Sequence, residues 1–313
     1  MGQSARKGGC LHGKLEFEVK QMIKEPFVRS SDAQNEHTAK TPSLFLLSDW
    51  TNGFEGLTAG FTGRDGGVSA APWHELNCGL HVGDADEDVI RNRELIAEAL
   101  GLSFEAWTCA EQVHGNHVHV VRAEDRGKGK DSRAGALQDT DALVTNEKNV
   151  LLTSFYADCV PLYFYDPVQE VVALAHAGWK GTVLEIACKT VEAMVANFGC
   201  EPATIRGAIG PSIGICCYEV NDVVLDRVKP IIQELQLDES TLVQPTTSGK
   251  ARINLKELNR QIMIKAGILP SHIECSEWCT GCSTDVFYSH RMEGGATGRM
   301  ASWIGMREGD FEA

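Results

Sequence analysis

The tightest constraint on this chain is a stretch in its middle, Ala157 to Thr182, which reads ADCVPLYFYDPVQEVVALAHAGWKGT. Leu162 to Tyr165 is apolar and aromatic, and Val171 to Ala175 is apolar and β-branched at its start. Between them, Asp166-Pro167-Val168-Gln169-Glu170 has the composition of a turn. Proline presets φ and has no amide to give to a ladder, so the pattern predicts an antiparallel hairpin hinged at Pro167. Cys159 lies eight residues before that proline and His176 nine after it. Direct pairing would set their Cβ atoms about 5 Å apart, the spacing that two ligands of one metal ion require. The open end of this hairpin is the first site the sequence proposes.

The rest of the 313-residue chain limits what that site can serve. Hydrophobic residues make up 43% and charged residues 23%, as in a soluble globular protein. No apolar run approaches the roughly 18 residues of a membrane span, and the first twenty residues contain no apolar core of a secretory signal. Residues 1–21 read as a disordered tail with Met22 as an alternative start. Residues 1–43 are expected to be a partly disordered N-terminal extension and 44–308 one catalytic domain. Eleven cysteines, an odd number with irregular spacing, argue for reduced thiols in a cytoplasm. The net charge is −14 and the basic residues are scattered, which disfavours nucleic acid while leaving room for a small phosphorylated ligand.

Along the chain, Leu44 to Trp50 predicts a strand, and Phe61 to Ser69 a glycine-rich turn whose amides and Arg64 can hold an anion. Asn77 to Asp84 is a polar loop containing His81, and Asp86 to Leu100 a helix stopped by Gly101. Trp107 to Arg122 reads as two extended pieces around Gly115-Asn116, with His114 at a strand end and His117 and His119 sharing one exposed face. Arg126 to Arg133 is a polar, glycine-bearing loop, read as a mobile surface segment or a lid over the site. Asp141 to Thr145 and Val150 to Tyr156 are strands. A helix is expected from Val183 to Phe198, opened by a Thr182/Glu185 capping box and closed by Gly199. Further helices are expected from Asn221 to Gln236 and Leu255 to Ala266, and strands at Ile205 to Ile209 and Ile273 to Trp278. Irregular alternation with at least one hairpin predicts a single-domain α/β fold on a mixed sheet.

Four groupings of cysteine and histidine compete. Cys159 and His176, with His114 as third ligand, form a His₂Cys set that suits zinc with its fourth position open. Cys275, Cys279 and Cys282 resemble half of a zinc knuckle, but Cys216-Cys217 is adjacent rather than spaced, and buried thiols explain the group more simply. Cys159 can instead be a nucleophile with a histidine base. His117 and His119 are a thin basis for a copper centre.

Four segments then carry a resemblance: Gln112-Val113-His114-Gly115, Asp141-Ala142-Leu143-Val144-Thr145, Ala157-Asp158-Cys159-Val160-Pro161-Leu162 and His176-Ala177-Gly178-Trp179. In their order and context, they resemble the laccase-domain proteins, named for polyphenol oxidation and also described as purine nucleoside phosphorylases. Phe61 to Ser69, Asn77 to Asp84, Gly210-Pro211, Tyr218-Glu219-Val220, Cys279-Thr280, Phe287 to Arg291 and Gly298-Arg299-Met300 fit the same pattern. The resemblance spans about Leu44 to Ile304. It implies an α/β sandwich of laccase-domain or cysteine-hydrolase-like type with zinc, or alternatively copper, on His114, Cys159 and His176, which are also the expected catalytic residues. The implied reaction is phosphorolysis of adenosine, inosine, guanosine and 5′-methylthioadenosine with inorganic phosphate, alongside adenosine deamination. Arg64, His81, Gln112, Asp158 and Arg291 are the expected substrate contacts, with Asp158 also a candidate for handling a proton. Met292 departs from the pattern, standing where the family has a second arginine.

The implied partners are therefore purine nucleosides and phosphate, with no nucleic acid and no membrane, in a monomer or homodimer. Three other readings stay open at this point: a copper-dependent polyphenol oxidase, a cysteine-dependent amidase acting on cell-wall precursors, and a non-enzymatic zinc-binding protein.

Overall fold

Strands buried on both faces read as unbroken apolar runs, because each face needs its own partner. Val160–Asp166 and Val171–Ala177 are of this kind and form the expected hairpin. The structure, a computed structural model, describes residues 24–30 and 41–308. Most of the expected N-terminal extension, with Met22, lies outside them. Within that extension, Phe27–Arg29 is nonetheless a strand paired with Leu44–Leu47, and Phe27 packs on Tyr163.

The hairpin lies at the centre of a six-stranded mixed sheet ordered Ile273–Cys275, Arg206–Ile209, Val160–Asp166, Val171–Ala177, Ala142–Thr145, Val118–Val120. A second six-stranded sheet runs Phe27–Arg29, Leu44–Leu47, Leu57–Thr62, Met300–Met306, Val150–Tyr156, Trp107–Cys109. Each sheet mixes antiparallel pairs with parallel ones. A small antiparallel sheet of Glu219–Asn221, Lys250–Ile253 and Val243–Pro245 stands apart.

Alternation along the hairpin builds two cores. Tyr163, Tyr165, Val172 and Leu174 face the second sheet, where they meet Leu152, Tyr156, Phe61 and Ile304. Leu162, Phe164, Ala173 and Ala175 face the other way, onto Ile186, Val191 and Met194 of the helix Ile186–Phe198 and Leu258 and Ile262 of Leu255–Lys265. The helix Asp86–Ala99 covers the far face of the second sheet through Ile96, against Trp107 and Trp303. The layers are thus helix, sheet, sheet, helix, which is the expected mixed-sheet α/β sandwich.

Some local expectations give way to tertiary contacts. The strand from Leu44 ends at Leu47, and Ser48–Gly53 is a short helix whose Trp50 indole donates to Glu274 at 2.8 Å. The helix expected from Val183 is two helices, Trp179–Val183 and Ile186–Phe198, broken at Glu185, whose φ is +55°. Thr182 and Glu185 do not form the expected capping box. The Thr182 hydroxyl donates to the Gly178 carbonyl and accepts from Asn259, while Glu185 pairs with Lys265 at 2.7 Å. The strand expected at Ile273 to Trp278 stops at Cys275. The segment from Trp107 to Arg122 does split, and its two strands enter different sheets.

Candidate metal-binding active site

The donor atoms of His114, Cys159 and His176 lie within 4.8 Å of one another. The hairpin supplies two of them, in a register two residues different from the direct pairing expected. His176 pairs with Pro161 and Val160 with Ala177, because the turn is centred beyond Pro167. Extending that register sets Cys159 opposite Gly178 and diagonal to His176, on the same face of the sheet. Diagonal neighbours remain in reach for long side chains. His114 comes not from a strand end but from the loop between Cys109 and Val118, with φ +62°. Its Nε2 is 3.9 Å from Cys159 Sγ, and its ring meets that of His176 edge to face at 4.8 Å. A Cβ on Gly178 would lie 3.0 Å from both Cys159 Sγ and the His114 ring, so a larger residue there would press on both donors.

Asp141 holds the arrangement together, and sequence reasoning assigned it only to a strand. Its carboxylate is fully buried and sits 2.9 Å from His176 Nδ1. It also accepts the amides of Val113, His114 and Gly115 at 3.2, 2.9 and 2.6 Å. One side chain therefore orients the His176 ring, turning Nε2 toward the trio, and clamps the loop that carries His114. A carboxylate behind a histidine is the usual outer support of a metal ligand. The spacing of Asp141 from His176 gave no local signal; it follows only from the antiparallel pairing of their strands.

Burial works against charge on both Cys159 and His176, yet their mutual attraction prevails. The His176 charge and the His114 hydrogen bond hold the Cys159 thiol below its ordinary range. The Cys159 charge and the Asp141 hydrogen bond raise His176 above its own. Asp141 is lowered because the His176 contact and the Gly115 and His114 amides outweigh its burial. A thiolate and two imidazoles converging from three sides, with the cavity on the fourth, fit a divalent metal with one open position.

The trio lines a cavity of about 770 Å³. Arg133, Lys180, Arg291 and Arg299 contribute positive charge to its walls, and Phe155, Trp179 and Tyr218 contribute aromatic faces. His81 lies there too, its pKa pushed down to about 4 by burial and by Arg299, Arg133 and Arg93, so the ring is neutral at pH 7. Arg291 reaches the cavity while donating to the Glu219 carbonyl and lying over the Tyr218 ring.

The other expected contacts are differently placed. Gln112 lines the cavity, but its side-chain amide is consumed by both backbone groups of Phe155, at 2.8 and 2.9 Å. Asp158 also lines it, with Oδ1 accepting from Thr280 and Oδ2 from the Arg291 amide. Arg64 is not brought to the cavity. Its guanidinium is engaged by Glu293, the Thr284 carbonyl and the Tyr288 ring, which does not fit the phosphate-holding role expected of it. Met292 is 54% exposed and outside the lining.

His117 and His119 do not form a common site: one contacts Thr140 and the other Asp125. The loop Arg126 to Arg133 is fixed by Arg93, which donates to the carbonyls of Gly129 and Lys130, and only its end reaches the cavity. Sequence reasoning missed Asp141, Arg133, Lys180 and Arg299 as site residues. Of these, Asp141 and Arg299 sat inside the segments that carried the resemblance, and Lys180 directly follows one of them.

Residues 58–307 match the family model described as multi-copper polyphenol oxidoreductase laccase. The purine nucleoside phosphorylase YlmD of Bacillus subtilis (strain 168) is 44% identical over 273 residues, covering 86% of this chain and 96% of the relative. The crystal structure of YlmD from Geobacillus stearothermophilus superposes with a TM-score of 0.81 at 41% identity, covering 91% of this chain and all of that one. The crystal structure of the Bacillus licheniformis hypothetical protein YfiH gives a TM-score of 0.80 at 44% identity, covering 85% and 97%. The chain belongs to the multi-copper polyphenol oxidoreductase laccase family.

Proposed function

We propose that this protein is a zinc-dependent purine nucleoside phosphorylase. It converts adenosine, inosine, guanosine or 5′-methylthioadenosine and phosphate to the free base and the ribose 1-phosphate or its methylthio analogue, and it deaminates adenosine as a second activity. The observation that carries this is one cavity joining the His114, Cys159 and His176 donors to a cationic and aromatic wall. The name borne by the curated relatives agrees with it. Zinc held by those three side chains would supply a Lewis acid with an open position, able to activate water near neutral pH.

The protein's own groups serve the rest. In phosphorolysis a phosphate oxygen bonds to C1′ while the bond to the base nitrogen breaks and its electron pair leaves with the base. Arg133, Arg291, Arg299 and Lys180 provide the positive charge that draws and orients phosphate. Tyr218, Trp179 and Phe155 offer flat apolar faces to a purine. His81, neutral, can donate one hydrogen bond and accept another at a base edge. No helix among the described residues is long and apolar enough to cross a membrane. The ten described cysteines are free thiols, which suits the cytoplasm.

Mass spectrometry of products from adenosine, with and without phosphate and chelator, tests this. Adenine and ribose 1-phosphate should form only with phosphate, inosine should form without it, and chelator should stop both. Turnover that persists in a metal-free Cys159→Ala protein would overturn the proposal.

One observation favours a second reading. Cys159, His176 and Asp141 are also disposed as nucleophile, base and orienting acid. A cysteine-dependent amidase would survive chelation and fail with a thiol alkylator.

A further inference from the structure

A second cluster of thiols lies outside the catalytic trio. The structure brings Cys216 and Cys217, adjacent in sequence, to Cys279 and Cys282 of a Cys-x-x-Cys turn, while Cys275 stands apart on Ser276. Sulfur-to-sulfur distances are 3.4 Å for Cys216–Cys279, Cys216–Cys282 and Cys217–Cys282, and all four sulfurs lie within 4.8 Å of one another. This corrects the expectation that buried thiols account for these residues. Cys216 and Cys282 are exposed and Cys217 is half-buried, so packing of apolar sulfur does not explain why they converge at the surface.

We propose that Cys216, Cys217, Cys279 and Cys282 bind a structural zinc ion as a closed tetrathiolate site. Zinc–sulfur bonds of about 2.3 Å place the corners of a tetrahedron about 3.8 Å apart, close to the spacing here. The surroundings are built for thiolates. The Gly214 amide donates to Cys279 Sγ at 3.1 Å, the contact that stabilises charge on a ligating sulfur. The amides of Cys282 and Ser283 both donate to the Cys279 carbonyl, at 3.1 and 3.0 Å, folding the Cys-x-x-Cys segment into a tight turn. Gly281 inside that turn has no substitute: a Cβ there would stand 2.8 Å from Cys217 Cβ and 3.1 Å from its sulfur. Four soft donors with no fifth group leave no open position, the arrangement of a structural rather than a catalytic ion.

The cluster also explains how two loops form one cavity wall. Tyr218 follows Cys217 directly, and Thr280 follows Cys279 and donates to Asp158 at 2.7 Å, beside Cys159. Asp158 in turn accepts the Arg291 amide. An ion on the four sulfurs ties the loop bearing Tyr218 to the loop bearing Arg291 while remaining separate from the catalytic donors.

Metal analysis of the full chain, purified under reducing conditions, tests the site independently of catalysis. A Cys159→Ser protein is expected to keep one tightly held zinc ion. Replaced by cobalt, that ion should show the intense visible bands of tetrahedral tetrathiolate coordination. Adding Cys282→Ser, at an exposed position, should lower retained zinc roughly tenfold or more. If that double variant does not fold, the cobalt spectrum of Cys159→Ser decides alone. A Cys159→Ser protein that holds no metal overturns the proposal, as does one whose four thiols react freely or link as disulfides. In the unsubstituted protein, zinc at the cluster with none at the trio would count against the proposed activity and not against this site.

Discussion

Asp141 Oδ1 lies 2.9 Å from His176 Nδ1, and the same carboxylate accepts three consecutive amides from the loop that carries His114. Two of the three donors are thus set by one buried acid. We expect Asp141→Asn to weaken metal binding at the trio roughly 10–100-fold, because the charge behind the imidazole and one amide acceptor are lost together. Competition with a chromophoric chelator measures this. Unchanged affinity would show that the loop and ring are held by other contacts.

Arg133, in the cavity wall, is 57% exposed and loosely paired with Glu111 at 3.4 Å. Arg133→Ala should raise the KM for phosphate about tenfold, as expected for loss of a hydrogen bond to a charged group, with thermal stability unchanged. Phosphate titration at fixed nucleoside separates this from an effect on purine binding. An unaltered phosphate KM would remove Arg133 from the phosphate path.

Arg93 is 2% exposed and donates to the carbonyls of Cys78, Gly129 and Lys130, with its guanidinium 4.3 Å from the Phe155 ring. Arg93→Met keeps volume but strands those acceptors, and should cost about 3 kcal/mol of stability. Urea unfolding gives the value. A loss below about 0.5 kcal/mol would mean that water reaches these carbonyls freely.

Asp125 gives the acid limb of stability a specific contributor. Burial opposes its charge, but Lys128, the Arg122 amide and His119 lower its pKa from 3.8 to about 2. The folded value lies below the unfolded one, so the stabilisation is full above the unfolded value and is lost as pH falls through the folded value. Asp125→Asn should cost about 1–2 kcal/mol at pH 7, with the difference from the parent protein shrinking toward pH 2. Equal costs at both ends of that range would assign the loss to packing instead.

The sandwich and its central hairpin were legible in the chain because doubly buried strands and a proline-bearing turn leave plain marks. So was the trio, since His176 and Cys159 flank that turn. The diagonal register was not, because the residue at which a turn is centred depends on loop geometry that composition does not encode. Asp141 escaped notice because its partners are 26 to 35 residues away and meet it only through strand pairing. Arg64 was overvalued for a related reason: a cation in a glycine-rich turn looks free until Glu293, 229 residues on, is seen beside it.

The floor of the cavity comes from one hairpin and one loop, whereas its rim is drawn from separate segments: His81, Arg133, Tyr218, Arg291 and Arg299. Donor geometry and ligand preference are therefore written in different parts of the chain. Rim positions can drift to suit another base or another anion while the donors stay in place, which makes this scaffold well suited to diversification by small surface changes.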